Sequence, residues 1–293
     1  MDIHSLRSTF AERLHAGGNI VAPGAYDALS AQIIARSGFE AVFIGSFGIA
    51  ASAYGLPDVG LLSLDQLTEH TRNTARAVDI PVIADAEGGF FEPANMWRTV
   101  RGFEDAGVCA IHIEDNLGGK HSAEPAGLLS PEAMSARIRA AVDAKTDPAF
   151  QIIARTDARW VYGDVGETVR RLRAYIDAGA DMVFAPGISA AELAAVRADL
   201  ARPVMVLADL PTRAGEALPE DSVDDFVAAG ANLIVLFYLT LGAAALGVRR
   251  VLEDFTEHRD VRKLDGLFES QHAFEAAMGY DTYAARVARY GGR

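Results

Sequence analysis

The ten residues Ala106-Gly107-Val108-Cys109-Ala110-Ile111-His112-Ile113-Glu114-Asp115 hold one complete helix-to-strand junction. A glycine suited to the left-handed residue that ends a helix is followed by a short apolar run, and two acids close the run. Side chains alternate between the two faces of a strand. Ile111 and Ile113 therefore share one face, and His112 and Glu114 the other. With the isoleucines packed on helices, the histidine and the glutamate point to the inside of the sheet. The same junction recurs at Ala178-Gly179-Ala180 and Ala229-Gly230-Ala231.

Outward from this junction, short β-rich runs lie at 20–23, 41–45, 82–85, 111–114, 152–155, 182–185, 204–207 and 233–237. Ala-rich amphipathic stretches separate them at 65–78, 93–106, 131–144, 166–178 and 190–200, and residues 1–18 read as a short amphipathic helix ending at Gly17-Gly18. Strand and helix in alternation imply an α/β protein with a parallel sheet. Eight such strands predict a (β/α)8 TIM-type barrel, for which about 250 residues is typical. The competing open doubly wound sheet calls for a glycine-rich phosphate loop after an early strand. No such motif follows a strand here. After Val251 the chain turns helical and charged through Tyr290. The expected organisation is a single barrel domain over 1–293 with a C-terminal helical extension over about 251–293.

Composition narrows the function classes. The 293 residues carry 27 Lys+Arg against 40 Asp+Glu, a net charge of −13. Nucleic acids and anionic membranes want a basic surface, so neither is expected as a partner. The single cysteine, Cys109, excludes an internal disulfide and cysteine-rich zinc modules, and just before a strand it reads as a small buried hydrophobe. The apolar stretch 233–248 is short for a span, contains Gly242 and Gly247, and reads as a buried strand leading into a helix. No targeting segment is visible, and a soluble, cytoplasmic protein is expected.

Catalytic groups of a barrel sit where its strands end. Asp85 and Glu87, two apart in Ala84-Asp85-Ala86-Glu87-Gly88-Gly89, can point to one side, and Glu114 ends the next strand. Together they form a hard oxygen set for Mg2+ or Mn2+. Periodicity alone is equally compatible with solvated loop acids. Arg155 emerges from an apolar strand end in Ile153-Ala154-Arg155-Thr156-Asp157, and burying it unpaired would be costly. It pairs with an acid such as Asp157 or clamps a substrate carboxylate. The polar, glycine-rich 116–127 segment reads as a lid or as an ordinary loop, and it offers Lys120, His121, Ser122 and Glu124. Gly55-Leu56-Pro57-Asp58 presents one acid in what is, alone, an ordinary turn. His4, His15, His70, His258 and His272 lie on helical patterns and read as surface or structural residues.

Taken in order, Pro23-Gly24-Ala25-Tyr26-Asp27-Ala28-Leu29-Ser30-Ala31, Gly55-Leu56-Pro57-Asp58, Ala84-Asp85-Ala86-Glu87-Gly88, His112-Ile113-Glu114-Asp115 and Ile153-Ala154-Arg155-Thr156-Asp157-Ala158 resemble the isocitrate lyase/phosphoenolpyruvate mutase superfamily, in its methylisocitrate lyase-like branch. The likeness runs from about Phe10 to Ala158 and continues more weakly beyond. It implies a (β/α)8 barrel whose terminal helices are exchanged between subunits of a homo-oligomer, a dimer of dimers. It implies Mg2+ on the acids matching Asp85, Glu87 and Glu114, and a small 2-oxo or 2-hydroxy carboxylate clamped by Arg155. Backbone N–H groups and a hydroxyl from Gly45-Ser46-Phe47-Gly48 would assist. Asp58 and the lid residues Lys120, His121, Ser122 and Glu124 are the candidate catalytic groups.

The chain departs from that pattern at several places. Ser122 occupies the position of the lid cysteine that serves as an acid. Glu87 replaces an aspartate, Phe47 replaces a glycine, Phe184-Ala185-Pro186-Gly187 lacks a glutamate, and Asp209, expected among the substrate-binding residues, stands roughly where an asparagine is usual. The expected activity is a divergent carbon–carbon lyase working through an enolate. The alternatives are an oxaloacetate-type decarboxylase or phosphonopyruvate-type hydrolase or mutase, and a catalytically silent carboxylate-binding barrel.

Overall fold

The computed structural model describes residues 2–118, 127–209 and 220–291. Eight parallel strands close into a barrel in sequence order. They are β1 (Ile20–Ala25), β2 (Val42–Ile44), β3 (Val82–Asp85), β4 (Ala110–Glu114), β5 (Gln151–Arg155), β6 (Met182–Phe184), β7 (Val204–Leu207) and β8 (Leu233–Leu236). β8 pairs with β1, so the sheet has no free edge. The (β/α)8 expectation holds, with each predicted strand in place.

Alternation along the strands builds two cores. Val42, Ile44, Val82, Ala84, Ile111, Ile113, Ile152, Ala154, Val183, Val206 and Ile234 belong to the layer between sheet and helices. Ile20, Ala22, Phe43, Ile83, Ile153, Met182, Phe184, Met205, Leu233 and Val235 fill the interior. Ile111 and Ile113 thus face the helices, as the junction predicted. Gly107 caps helix Met96–Ala106 in the left-handed conformation, φ 88°, which costs little without a Cβ. Helices Leu64–Ala75, Met96–Ala106, Pro131–Ala144 and Val165–Asp177 pack successively around the outside.

The 1–18 expectation is met by helix Ile3–His15, whose Phe10 and Leu14 join the interior core and plug the end of the barrel where the strands begin. Arg7 locks the plug. Its guanidinium donates to the carbonyls of Val108 (2.8 Å) and Glu104 (2.8 Å) and pairs with Asp147 (3.1 Å). Cys109 is buried beside it, and burial pushes its thiol up to about 12, in keeping with a packing role.

Two short helices were not foreseen. The segment after β2 is helix Ser46–Ile49 continuing into a wide helical turn, Ala50–Tyr54, rather than a loop. Residues after β5 form helix Ala158–Tyr162. Both carry site residues, as shown below. The chain divides into two compact units, Met1–Leu241 and Gly242–Arg293. In the second, helices Gln271–Ala277 and Tyr280–Tyr290 pack on each other, while Leu252, Phe255, Phe268, Tyr283 and Tyr290 are exposed. No described helix is long and apolar enough to cross a membrane.

Arg7→Ala leaves buried carbonyls without their donor. It is expected to lower unfolding stability by about 2–4 kcal/mol in urea titration; a loss within ~0.5 kcal/mol would show that the plug does not depend on this arginine.

Candidate active site

The last residues of β3, β4 and β5 are Asp85, Glu114 and Arg155, and the strand period aims all three inward. Parallel register sets Asp85 beside His112 and Glu114 beside Arg155. His112 Nε2 lies 3.7 Å from Asp85 Oδ1, and its ring stacks on Phe43 and meets the edge of Phe184. Ligand atoms of Asp85, His112 and Glu114 all lie within 4.8 Å of one another, and all three residues are buried. Glu87 joins through its backbone. Held at φ 49°, it donates its N–H to Asp85 Oδ1 (2.8 Å), while its carbonyl accepts from the N–H of Glu114 (2.9 Å).

The unforeseen helix Ser46–Ile49 completes this side. Ser46 Oγ lies 2.9 Å from both Asp85 Oδ2 and Asp58 Oδ1. One hydroxyl hydrogen cannot serve both carboxylates at once, so the Ser46 hydroxyl gathers two acids, Asp58 and Asp85, around one point. A divalent cation suits such a set of buried carboxylate oxygens. Asp58, unremarkable within its own turn, is carried here by the fold and is 7% exposed.

Arg155 is buried, with acids along its edge and rings over its faces. Nε and Nη2 bond Asp157 at 2.7 and 3.2 Å, and Nη1 pairs with Glu114 at 3.2 Å. Trp160 and Phe184 cover its planar faces at 5.5 and 5.2 Å. Burial disfavours the charge, but Asp157, Glu114 and Asp85 outweigh it and hold the pKa above the ordinary arginine value. The pairing with Asp157 expected from the sequence is present. Of the five guanidinium N–H donors, these contacts use three.

Beneath, Asp115 accepts from Thr156 Oγ1 (2.7 Å), Tyr175 Oη (2.8 Å), Arg171 Nη1 (3.1 Å) and the Asp157 N–H (3.1 Å). Burial raises its pKa, and the hydrogen bonds oppose that rise. The same element ties down the two ends of the predicted lid. Asn116 bridges Leu128, and the Leu129 N–H donates to the Asp115 carbonyl. Lys120, His121, Ser122 and Glu124 themselves lie outside the described residues.

Gly45, Phe47, Asp58, Asp85 and Arg155 line one cavity that opens to solvent. Its remaining walls are Phe43, Trp160, Phe184, Leu207 and Phe237. Asp209 stands behind the Phe237 wall, accepting the backbone N–H of Tyr238. Burial pushes its carboxyl up to about 7, although backbone hydrogen bonds from Tyr238 and Phe237 pull the other way.

Sequence reasoning brought together most of these residues but gave His112 no role and, of the aromatic walls, placed only Phe47 at the site. Strand period could have found His112, Phe43 and Phe184, all of which are inward positions. Trp160 carries no comparable signal, because a five-residue helix delivers it.

The matching family model is phosphoenolpyruvate phosphomutase, over residues 10–256. The chain is 39% identical over 214 residues to the 2-methylisocitrate lyase of Salmonella typhimurium, covering 72% of each protein. It is 44% identical over 167 residues to the 2,3-dimethylmalate lyase of Eubacterium barkeri, covering 56% of this chain and 57% of that one. A crystal structure of phosphonopyruvate hydrolase, in complex with oxalate and Mg2+, superposes with a TM-score of 0.85 at 26% identity over 100% of both chains. The chain belongs to the phosphoenolpyruvate mutase/isocitrate lyase superfamily, and it is an enzyme of the carbon–carbon lyase type within it.

The position of Asp209 has a consequence for stability. Its folded pKa, about 7, exceeds the ordinary 3.8, so the folded state binds a proton that the unfolded state releases. Stability should therefore fall as pH rises from about 4 to 7 and level off above that. Asp209→Asn is expected to remove this decline, read as urea midpoints at pH 5 and pH 8. A variant that retains the wild-type slope would assign the decline to another group.

Proposed function

We propose that the enzyme cleaves or forms the carbon–carbon bond of a small 2-hydroxy or 2-oxo carboxylate through an enolate, with Mg2+ or Mn2+ held by Asp85, Glu87 and Glu114. The observation that carries this reading is the Ser46 hydroxyl shared by the carboxylates of Asp58 and Asp85 beside the buried Arg155. Bound there, the cation would supply Lewis-acid stabilisation of enolate charge. Arg155 fixes a substrate carboxylate with its remaining N–H groups, and Gly45 and Phe47 at the start of helix Ser46–Ile49 line the same cavity. In the cleavage direction Asp58 takes the proton from the substrate hydroxyl, that oxygen becomes the carbonyl of one product, and the carbon–carbon bond breaks. The bonding pair is left as the enolate of the other product, and a lid acid returns a proton to its carbon. His121 and Glu124 are better suited to that delivery than the Ser122 hydroxyl, which is far less acidic than a thiol. Lys120 would balance the developing charge.

Ser122 at the thiol position also favours a second reading, decarboxylation or hydrolysis of an oxaloacetate-like or phosphonopyruvate-like substrate, in which water protonates the enolate. The two separate by product. A panel of 2-oxo and 2-hydroxy acids with Mg2+, followed by NMR, yields an oxo acid plus a carboxylate or carbonyl partner for a lyase. It yields carbon dioxide or phosphate for the alternative.

For the assembly, we propose a dimer of dimers that exchanges C-terminal helices, the extension of a single barrel domain. Exposed Leu252, Phe255, Tyr283 and Tyr290 in the 242–293 unit support it. Light scattering at the monomer mass would exclude it.

Asp58→Asn should lower kcat by about 10²–10⁴-fold while oxalate still binds; full turnover would remove Asp58 from proton transfer. Arg155→Lys should raise KM by about tenfold or more, since a point charge cannot replace the bidentate fork. An unchanged KM would place the substrate carboxylate elsewhere. Ser122→Cys should increase lyase turnover if acid delivery limits the rate, and no gain would locate the limit in the pocket.

A further inference from the structure

The turn after β3 joins two acids of the site in a conformation the backbone does not favour. It carries Glu87 at φ 49°, Gly89 at φ 88° and Phe90 at φ 64°. Left-handed backbone is open to glycine and strained for a residue with a Cβ. Among the described residues three non-glycines adopt it, and two of them are Glu87 and Phe90. The Glu87 backbone stands between the acids. Its N–H donates to Asp85 Oδ1 (2.8 Å), and its carbonyl accepts from the Glu114 N–H (2.9 Å). A relaxation of φ at Glu87 would therefore disturb both the Asp85 carboxylate and the end of β4.

Two helices outside the barrel hold this turn from behind. Thr99, fully buried on helix Met96–Ala106, donates its hydroxyl to the Gly89 carbonyl (2.6 Å). A Cβ on Gly89 would lie 2.6 Å from Met96 Cε, so the turn is pressed onto that helix. Arg137, half-buried on helix Pro131–Ala144, donates from Nη1 to the Gly88 carbonyl. A Cβ on Gly88 would meet Arg137 Nη1 at 3.7 Å and the Glu114 carbonyl at 3.8 Å, so the guanidinium reaches the turn where it adjoins the end of β4. A charged donor makes a stronger hydrogen bond than a neutral one. Neither Arg137 nor Thr99 is among the described residues that line the cavity.

We propose that Arg137 is a positioning residue for the divalent-cation site. Through the Gly88 carbonyl it holds the Glu87 turn, and the turn aims Asp85 and seats Glu114. Arg137 itself touches neither ion nor substrate, and Thr99 supports the same turn at Gly89. The inference rests on the metal part of the proposed function and deepens it. Outer partners that orient metal ligands typically control affinity by about 10–100-fold. The sign of the effect separates positioning from charge. Removing a cation near the acids strengthens cation binding by Coulomb's law alone. Losing the clamp weakens it.

The test is calorimetric titration of the full chain with Mn2+. Arg137→Met keeps an unbranched stem and loses the donor, and it is expected to lower Mn2+ affinity about 10–100-fold. Arg137→Lys, which retains a charged donor, should recover part of the loss. Arg139→Met removes an equal charge from the exposed face of the same helix and should stay within about twofold of the wild type. Thr99→Val is the second variant should Arg137→Met not fold, and it should weaken Mn2+ in the same direction. In the metal-free protein, amide exchange at Glu87 and Glu114 should quicken in Arg137→Met. Unchanged or tighter Mn2+ binding in Arg137→Met overturns the proposal even where its melting temperature falls, since that pattern belongs to a purely structural residue. Weaker Mn2+ binding with unchanged exchange at Glu87 and Glu114 also overturns it, because the effect then bypasses the turn. A wild type that takes up no Mn2+ sinks the metal reading and this inference with it. Tight wild-type binding with unaffected variants sinks this inference only.

Discussion

Arg155 is a buried cation surrounded by carboxylates, and the active end of the barrel depends on that compensation. Asp157 and Glu114 bind its edge, and Asp85 lies close enough to raise its pKa further. Without the guanidinium, acids gathered at the ends of neighbouring strands would repel one another in a poorly solvated site. Without the acids, the guanidinium would be an unpaired buried charge, which typically costs several kcal/mol. The two sets are therefore mutually required. Trp160 and Phe184 then cover the faces of the guanidinium and leave in-plane donors as its route to a ligand.

The barrel supplies the convergence. Parallel register places Asp85 level with His112 and Glu114 level with Arg155, so polar groups from three strands meet above an apolar interior. Asp115, one residue after Glu114, points the other way and gathers Thr156, Tyr175 and Arg171 into a buried network. That network holds the end of β4 and receives Leu129 where the chain returns from the predicted lid. Asn116 and Leu129, which flank the predicted lid, are thus tied to the strand that carries Glu114.

Most of the scaffold is legible in the sequence because it follows from local rules. Eight apolar runs with a period of two, separated by amphipathic stretches, leave little choice beyond a parallel sheet. The inward positions of His112 and Glu114 follow from the two isoleucines around them. The plug helix is legible as amphipathic, but Arg7 is not legible as its lock, since its partners Val108, Glu104 and Asp147 are distant in sequence. Helices Ser46–Ile49 and Ala158–Tyr162 are too short to show a period.

The sequence by itself determined the α/β class, the closed eightfold repeat, the superfamily, and the acids and arginine at the strand ends. Each of these depends on periodicity or on residues a few positions apart. Tertiary structure alone decided that Asp58 and Asp85 share one hydroxyl, that Arg155 is held by two acids and two rings, and that Phe47, Trp160 and Phe237 line the same cavity. These residues come from helices and strands scattered between Phe47 and Phe237. Their proximity is a property of barrel closure, which brings β8 back against β1 and which no local pattern encodes.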